Sequence, residues 1–395
     1  MRDNPELHFT REEYNARLRH IWAAMQARQI DLLLLSDPCN LYYASGYDAW
    51  SFYVPQCLLV EAGNPEPVWI GREMDRRGAY LTSYLASGDI EGYPDDYVQA
   101  ADRHPMSFVA SVIRSRGWEG AAIGIERNSY YLGAGAFEVL DRELPAVTWI
   151  DAGNLVNWVR VRKSPAEIAY MRQAARIVER AMGVGIETIR VGIRQCDVAA
   201  AIYAALISGT SEFGGQYASS PPLMPSGSRA DTPHLSWTDE RYAAGSITNF
   251  ELVAARFRYH VPLARSVSLG SPAEAVRKLE RALVAGIDAV LSQLRPGVRA
   301  DEVEAMWQDA AQTFGVRKKA RCGYSIGIAY PPTFGEQTVS LRPGDDTVLE
   351  AGMTLHLMPA VWQEGASLAI TEPLLVTESG CEALCRFERC LFVRS

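Results

Sequence analysis

Only six histidines and seven cysteines occur in 395 residues, and neither type is clustered. Cys39, Cys57, Cys196, Cys322, Cys381, Cys385 and Cys390 form no CxxC pair and no Cys/His metal spacing, which argues against a zinc or redox motif. They read as buried thiols of a reducing compartment, so the expected location is cytoplasmic. No apolar run reaches the ~18 residues that suggest a membrane-spanning helix. The opening stretch, MRDNPELHFTREEYNARLRHIW, lacks an apolar h-region and a small-residue cleavage pattern, so no secretory signal is expected. Basic residues are outnumbered, 39 Lys and Arg against 47 Asp and Glu. The resulting charge of −8 argues against nucleic acid or an anionic membrane as partner.

What is present is a globular composition, 48% hydrophobic and 22% charged, in a chain long enough for two cores. Residues 10–29 predict an amphipathic helix, with Thr10 as N-cap, Glu13 as capping-box partner and a stripe of Leu18, Ile21, Trp22 and Met25. Residues 30–35 are apolar almost without break, as expected of a strand buried on both faces. Apolar runs then alternate with helical segments to about residue 155, which predicts an α/β domain. A long helix follows from residue 165, with Ser164 as N-cap, Pro165 in the first turn and Glu167 at N3. Beyond it, IRVGIRQCDV at 189–198 matches LRPGVRADEV at 294–303, with glycines 105 residues apart. A duplicated α+β half would produce this spacing and would place a site at the junction of its two copies.

Residues 248–270, TNFELVAARFRYHVPLARSVSLG, predict two strands joined by a tight bend. Glu251 falls inside the first, and a carboxylate there must be paired or used. His260 and Arg265 share the stretch. His234 lies in a polar loop, SGSRADTPHLSW, as a candidate proton carrier or an idle surface residue. Residues 322–336, CGYSIGIAYPPTFGE, combine glycines with Tyr324, Tyr330 and a second candidate carboxylate, Glu336. His356 and Glu372 lie within apolar strands and are either functional or satisfied in the core. Residues 42–53 hold six aromatics in twelve, including Trp50 and Phe52, as core or as a box for a cation.

Residues 161–182, the pair 248–270, GYSIG, DTVLEAGMTLHLMP and ITEPLLVTESG together resemble the pita-bread family of creatinases, prolidases and aminopeptidases P. The likeness covers nearly the whole chain. It implies an α/β creatinase-like N-terminal domain (residues 1–157) followed by an α+β pita-bread (creatinase/aminopeptidase) catalytic domain (158–395). It also implies a homodimer with shared active sites. Metallopeptidases of the family hold two metal ions with two Asp, one His and two Glu. The matching positions here are Glu251, Pro262, Tyr324, Met358 and Thr371, which leave one carboxylate. The expectation is therefore no metal and no cofactor.

Two metal-free branches are then relevant. His234 falls where creatinase keeps its catalytic His, but the creatinase Phe-Gly-Arg is Phe52-Tyr53-Val54 here, and Ala264 replaces a Glu. GYDAWSFYVPQ, FELVAARFRYHVPLAR and GYSIGIAYPPTFGE are instead similar to the ectoine hydrolase branch. That resemblance implies a small zwitterionic substrate, a cyclic amidine opened by hydrolysis. Glu251 would act as base or nucleophile and His234 would deliver a proton. Tyr324 would hold the tetrahedral intermediate and Glu336 a ring N–H. Trp50 and Phe52 would stack on the cation, with His260, Arg265, Tyr330 and His356 as further substrate-binding or orienting candidates. A creatinase-type amidinohydrolase, an Xaa-Pro metallopeptidase and a silent binding protein remain as alternatives.

Overall fold

The computed structural model describes residues 6–363 and 365–395. The chain divides into two compact units, Met1–Arg160 and Val161–Ser395. No helix among the described residues is long and apolar enough to cross a membrane.

In the first unit six strands, β1 (Leu32–Leu35), β2 (Cys57–Glu61), β3 (Val68–Arg72), β4 (Ile90–Tyr93), β5 (Ala122–Ile125) and β6 (Thr148–Asp151), form one mixed sheet. Its order is β4-β3-β2-β1-β5-β6. The four leucines of β1 are fully buried because this central strand is covered on both faces. One core joins β1, β2, β3 and β5 to the helices Pro105–Ser115 and Ala134–Glu143. The N-terminal helix spans Arg11–Ala27, with Thr10 Oγ1 accepting from Glu13 N at 3.3 Å. The aromatic run 42–53 splits. Tyr42, Tyr43 and Tyr47 are buried, Trp50 and Tyr53 are exposed, and the Trp50 and Phe52 rings meet at a tilt with centroids 4.7 Å apart.

The second unit opens with the helix Pro165–Thr188 and its full capping box, Ser164 accepting from Glu167 N and Glu167 from Ser164 N. Eight strands follow: β7 (Ile247–Arg256), β8 (Tyr259–Leu269), β9 (Gly323–Tyr330), β10 (Thr333–Leu341), β11 (Thr354–Leu357), β12 (Glu372–Val376), β13 (Cys381–Ala383) and β14 (Phe392–Arg394). They make one sheet, β13-β12-β11-β9-β8-β14, with β7 on β8 and β10 on β9. β7 and β8 are antiparallel from Ile247↔Ser268 to Arg256↔Tyr259 and turn through Phe257 and Arg258, both at positive φ. Left-handed φ at two non-glycine residues is costly. Stacking offsets it: Tyr170 meets the Phe257 ring edge-on at 4.8 Å, and the Arg258 guanidinium lies 3.7 Å over Tyr217.

The internal repeat is visible in the backbone. Gly192 and Gly297 have φ of +85° and +95°, a left-handed conformation suited to glycine. Each ends the loop after a long helix, Pro165–Thr188 or Glu274–Gln293, and precedes a second one, Gln195–Ser208 or Ala300–Gln312. Each helix pair is followed by an antiparallel hairpin, β7–β8 or β9–β10. Glu251 thus comes from the first copy and Tyr324 from the second.

Candidate active site

Glu251 lies mid-strand in β7, with Ala264 of β8 directly opposite and Pro262 one step further along the same face, opposite Val253. On its other edge the Glu251 backbone pairs with Leu223, so β7 is fully hydrogen-bonded there. The carboxylate makes no hydrogen bond or ion pair to any described residue. Burial pushes its pKa up to about 7, against a smaller opposing pull from the Lys318 charge. An ionisable group poised this way is suited to proton transfer near neutral pH.

Beside it, Tyr324 of β9 is paired in register with His356 of β11. His356 is fully buried, with Nδ1 at 3.2 Å from Tyr324 Oη and Nε2 at 2.9 Å from Thr371 Oγ1. Thr371 Oγ1 already accepts from Ala264 N at 2.9 Å. Were His356 to donate through Nε2, the buried Thr371 hydroxyl proton would have no acceptor among the described residues. The satisfied arrangement runs the other way: Thr371 donates to Nε2, and Nδ1–H donates to Tyr324. Tyr324 then accepts from His356 and keeps its own proton for a ligand. Burial holds the imidazole neutral, with its pKa down at about 3. Burial, and next the Glu251 charge, raise the Tyr324 phenol well above its usual range, so it stays a donor.

Lys318 completes the group. Its side chain is buried, Nζ donates to Ala360 O at 2.5 Å and lies 4.9 Å from the centre of the Trp362 ring. Ala264, Ala360 and Ala369, with Met358 and Trp362, form a small apolar cluster bordering both Lys318 and Glu251. The sequence did not single out Lys318, because the run RKKAR resembles a solvated basic surface.

Three expected site residues are already committed elsewhere, and a fourth, His356, reaches the site only through Tyr324. All five N–H groups of Arg265 are used, to Glu372 Oε1 (2.6 Å) and the carbonyls of Ala264, Thr371, Phe387 and Glu388. None is left for a substrate carboxylate. Glu336 is buried against Lys163 Nζ at 2.5 Å, an anchor rather than a partner for a ring N–H. Gly327 makes room for that pair, since a Cβ there would lie 2.4 Å from Glu336 Oε1. His260 does not orient Glu251. Its Nδ1 is 2.8 Å from Arg258 O and its Nε2 accepts from Ser219 N at 3.0 Å, fixing a neutral tautomer with a pKa lowered by burial to about 3. His356 touches no open space but works through Tyr324.

Tyr330 is buried, with the Arg258 guanidinium 5.1 Å from its ring centre. His234 is exposed at φ +68° and makes no hydrogen bond, ion pair or ring contact to Glu251 or Tyr324. Its neighbour Leu235 is tied to Met224, next to the residue pairing with Glu251, which places the loop one strand beyond β7. Trp50 and Phe52 belong to the first unit, where Phe52 also meets Tyr131 edge-on at 5.7 Å.

Metal binding can be tested on the donor set. Glu251, Pro262, Tyr324, Met358 and Thr371 offer one carboxylate, a phenol that stays protonated, a thioether, a hydroxyl and a Pro side chain without a donor. Hard divalent ions need several anionic or imidazole ligands, so these residues do not fit a dinuclear centre. Among the described residues no group of three or more His, Cys, Asp or Glu could hold an ion.

Residues 17–162 match the Creatinase/Prolidase N-terminal domain, and residues 169–378 match Metallopeptidase family M24. The chain belongs to that family and is a hydrolase acting on C–N bonds. It is 45% identical to the ectoine hydrolase of Halomonas elongata, over 98% of this chain and 99% of that one. The Xaa-Pro dipeptidase of Lactobacillus helveticus is 24% identical over 90% of this chain and 93% of its own. Among solved structures, prolidase from Thermococcus sibiricus superposes with a TM-score of 0.82 at 19% identity, covering 96% of this chain and 99% of its own. Prolidase from Pyrococcus horikoshii gives 0.79 at 22% identity, covering 95% and 99%. At these identities the structures establish the two-domain fold and nothing finer.

Proposed function

We propose that this protein opens the ring of ectoine, a cyclic amidinium carboxylate, by metal-independent hydrolysis to N-acetyl-diaminobutyrate, in compatible-solute catabolism. The observation that carries the reading is the Glu251 carboxylate. It has no protein partner among the described residues, its pKa is pushed up to about 7 by burial, and its charge acts on the Tyr324 phenol and the buried Lys318 cation. The full-length likeness to an ectoine hydrolase supports the substrate.

The chemistry is addition of water across the C=N bond of the amidine, followed by cleavage of the other C–N bond. Ionised Glu251 accepts a hydrogen bond from the amidinium, which lowers the cost of its buried charge. As general base it takes a proton from the attacking water, and as its conjugate acid it returns that proton to the departing nitrogen. Alternatively its carboxylate adds to the amidine carbon, and the ring C–N bond breaks as a solvent water protonates the departing nitrogen. The hydroxide so formed displaces the Glu251 carboxylate from that carbon. Both routes end in the same amide and amine. Tyr324 O–H, oriented by His356 and Thr371, donates to the oxygen added to that carbon.

The test is a panel of ectoine, hydroxyectoine, creatine and Xaa-Pro dipeptides, each assayed with and without chelator alongside metal analysis. Ectoine turnover unaffected by chelator is expected. Chelator-sensitive Xaa-Pro cleavage with stoichiometric bound metal would sink the proposal, and turnover of creatine alone would replace the substrate.

A further inference from the structure

We propose that Lys318, and not Arg265, receives the carboxylate of the substrate and so selects a zwitterion over a simple cation; this rests on the ectoine reading above. A buried ammonium has three N–H groups to satisfy, and Lys318 spends one on Ala360 O. The Trp362 ring face supplies a further weak contact. No carboxylate among the described residues comes within ion-pair distance of it, although buried charges are ordinarily paired. Glu251 and Lys318 each shift the other's charge state without a hydrogen bond or ion pair between them. The alanine cluster borders both groups.

A small ring with a delocalised cation at one end and a carboxylate at the other answers each unmet need at once. The amidinium pairs with Glu251, the carboxylate takes the spare N–H groups of Lys318, and the ring carbons lie on the alanines. Arg265 and Arg321 do not suit the role. Arg265 has no N–H to offer. Arg321 is exposed, with its guanidinium 4.4 Å over the Tyr324 ring, so water competes for it.

The experiment compares kcat/KM for ectoine with that for the same ring lacking the carboxylate, in the wild type, Lys318→Met, Lys318→Gln, Lys318→Arg and Arg321→Ala. Thermal melting is followed in parallel. Loss of a charge-assisted contact should cut the preference of the wild type for ectoine by about 10–100-fold in Lys318→Met, mostly through KM. Lys318→Arg should restore part of it, and Arg321→Ala should change it little. A Lys318 that merely tunes Glu251 would slow both rings equally. An unchanged preference in Lys318→Met, or its loss in Arg321→Ala instead, overturns the assignment while wild-type ectoine turnover leaves the functional reading standing. A wild type that turns over neither ring overturns both. If Lys318→Met melts early, the preference measured in Lys318→Gln decides: a lost preference with intact decarboxylated-ring turnover supports the salt link, and a wild-type preference counts against it.

Discussion

Glu251 and Glu372 lie in the same eight-stranded sheet, and burial raises the pKa of both, yet they do opposite things. Glu372 meets Arg265 at 2.6 Å, with Arg389 a further 3.5 Å contact, and that pair fastens β8 to β12. Glu336 is held likewise by Lys163, and Glu126 in the first unit by Ser36 N, Asp37 N and Asn40 Nδ2. Only Glu251 among these four carboxylates has no partner. A buried charge that is compensated costs little to keep and contributes to structure. One that is not compensated is kept at a stability cost and stays available to a ligand.

The largest expected effect follows from neutralising the unpartnered member. Glu251→Gln should lower kcat for ectoine by at least about 1,000-fold, since base or nucleophile is lost. The same change should not weaken the fold. The folded pKa of Glu251, about 7, lies above its unfolded value, so the native state binds the extra proton. The stability it contributes is present below about pH 4.5 and is lost as pH rises through 7, a decline of about 3 kcal/mol. Urea unfolding of Glu251→Gln should lack that decline and show a protein more stable than wild type at pH 8. Activity of the wild type should rise with pH along a limb centred near 7. A flat limb, or a variant that unfolds early, would make Glu251 structural after all.

The paired member predicts the reverse pattern. Glu372→Gln leaves Arg265 buried without its anion and should cost about 3–5 kcal/mol in denaturant unfolding. The double change Arg265→Met with Glu372→Met should recover much of that loss, because an apolar pair of similar volume can replace a buried ion pair. Activity per folded molecule should persist. Ectoine KM raised by the double change at undiminished stability would instead place Arg265 back in contact with substrate.

How far the sequence disclosed this contrast depends on separation along the chain. The capping box at Ser164, the hairpin after Ile247 and the repeated glycine loops are written in neighbouring residues, and the two-unit fold follows from them. Glu251 was visible because a carboxylate interrupts an apolar strand. Arg265 interrupts one in the same way, and its ion pair cannot be read locally because its anion lies 107 residues later. Glu336 and its lysine are 173 residues apart. Lys318 was invisible for the converse reason: a basic run looks solvated until Ala360 and Trp362 fold over one of its members. Local pattern marks where a polar group is buried, and only tertiary contact tells whether it is satisfied.

A smaller effect sharpens the role of the Tyr324 donor. Tyr324→Phe removes the one hydroxyl that His356 and Thr371 hold toward the site. It should reduce kcat by about 100-fold while changing KM modestly, as expected of a hydrogen bond that strengthens in the transition state. Steady-state kinetics separates the two constants. An equal loss in binding of unreacted ectoine would assign Tyr324 to ground-state recognition.

The smallest effect is expected at His234. Its imidazole is exposed, lies in the loop beyond the strand that carries Glu251, and makes no hydrogen bond or ion pair to the groups described above. A proton carrier must come within hydrogen-bond reach of the atom it serves, directly or through one water. In the general-base route proposed above, Glu251, once protonated by the attacking water, would meet that requirement for the leaving nitrogen. His234→Ala should therefore keep kcat within about threefold of wild type and stability within about 0.5 kcal/mol, as is usual for an exposed side chain. A loss of about 100-fold or more, the scale of a missing general acid, would show that the 226–238 loop closes over bound substrate and that proton delivery is divided between two residues. The difference between Glu251 and its paired neighbours would then extend to this loop, since the unpartnered carboxylate would be waiting for a proton donor as well as for a substrate.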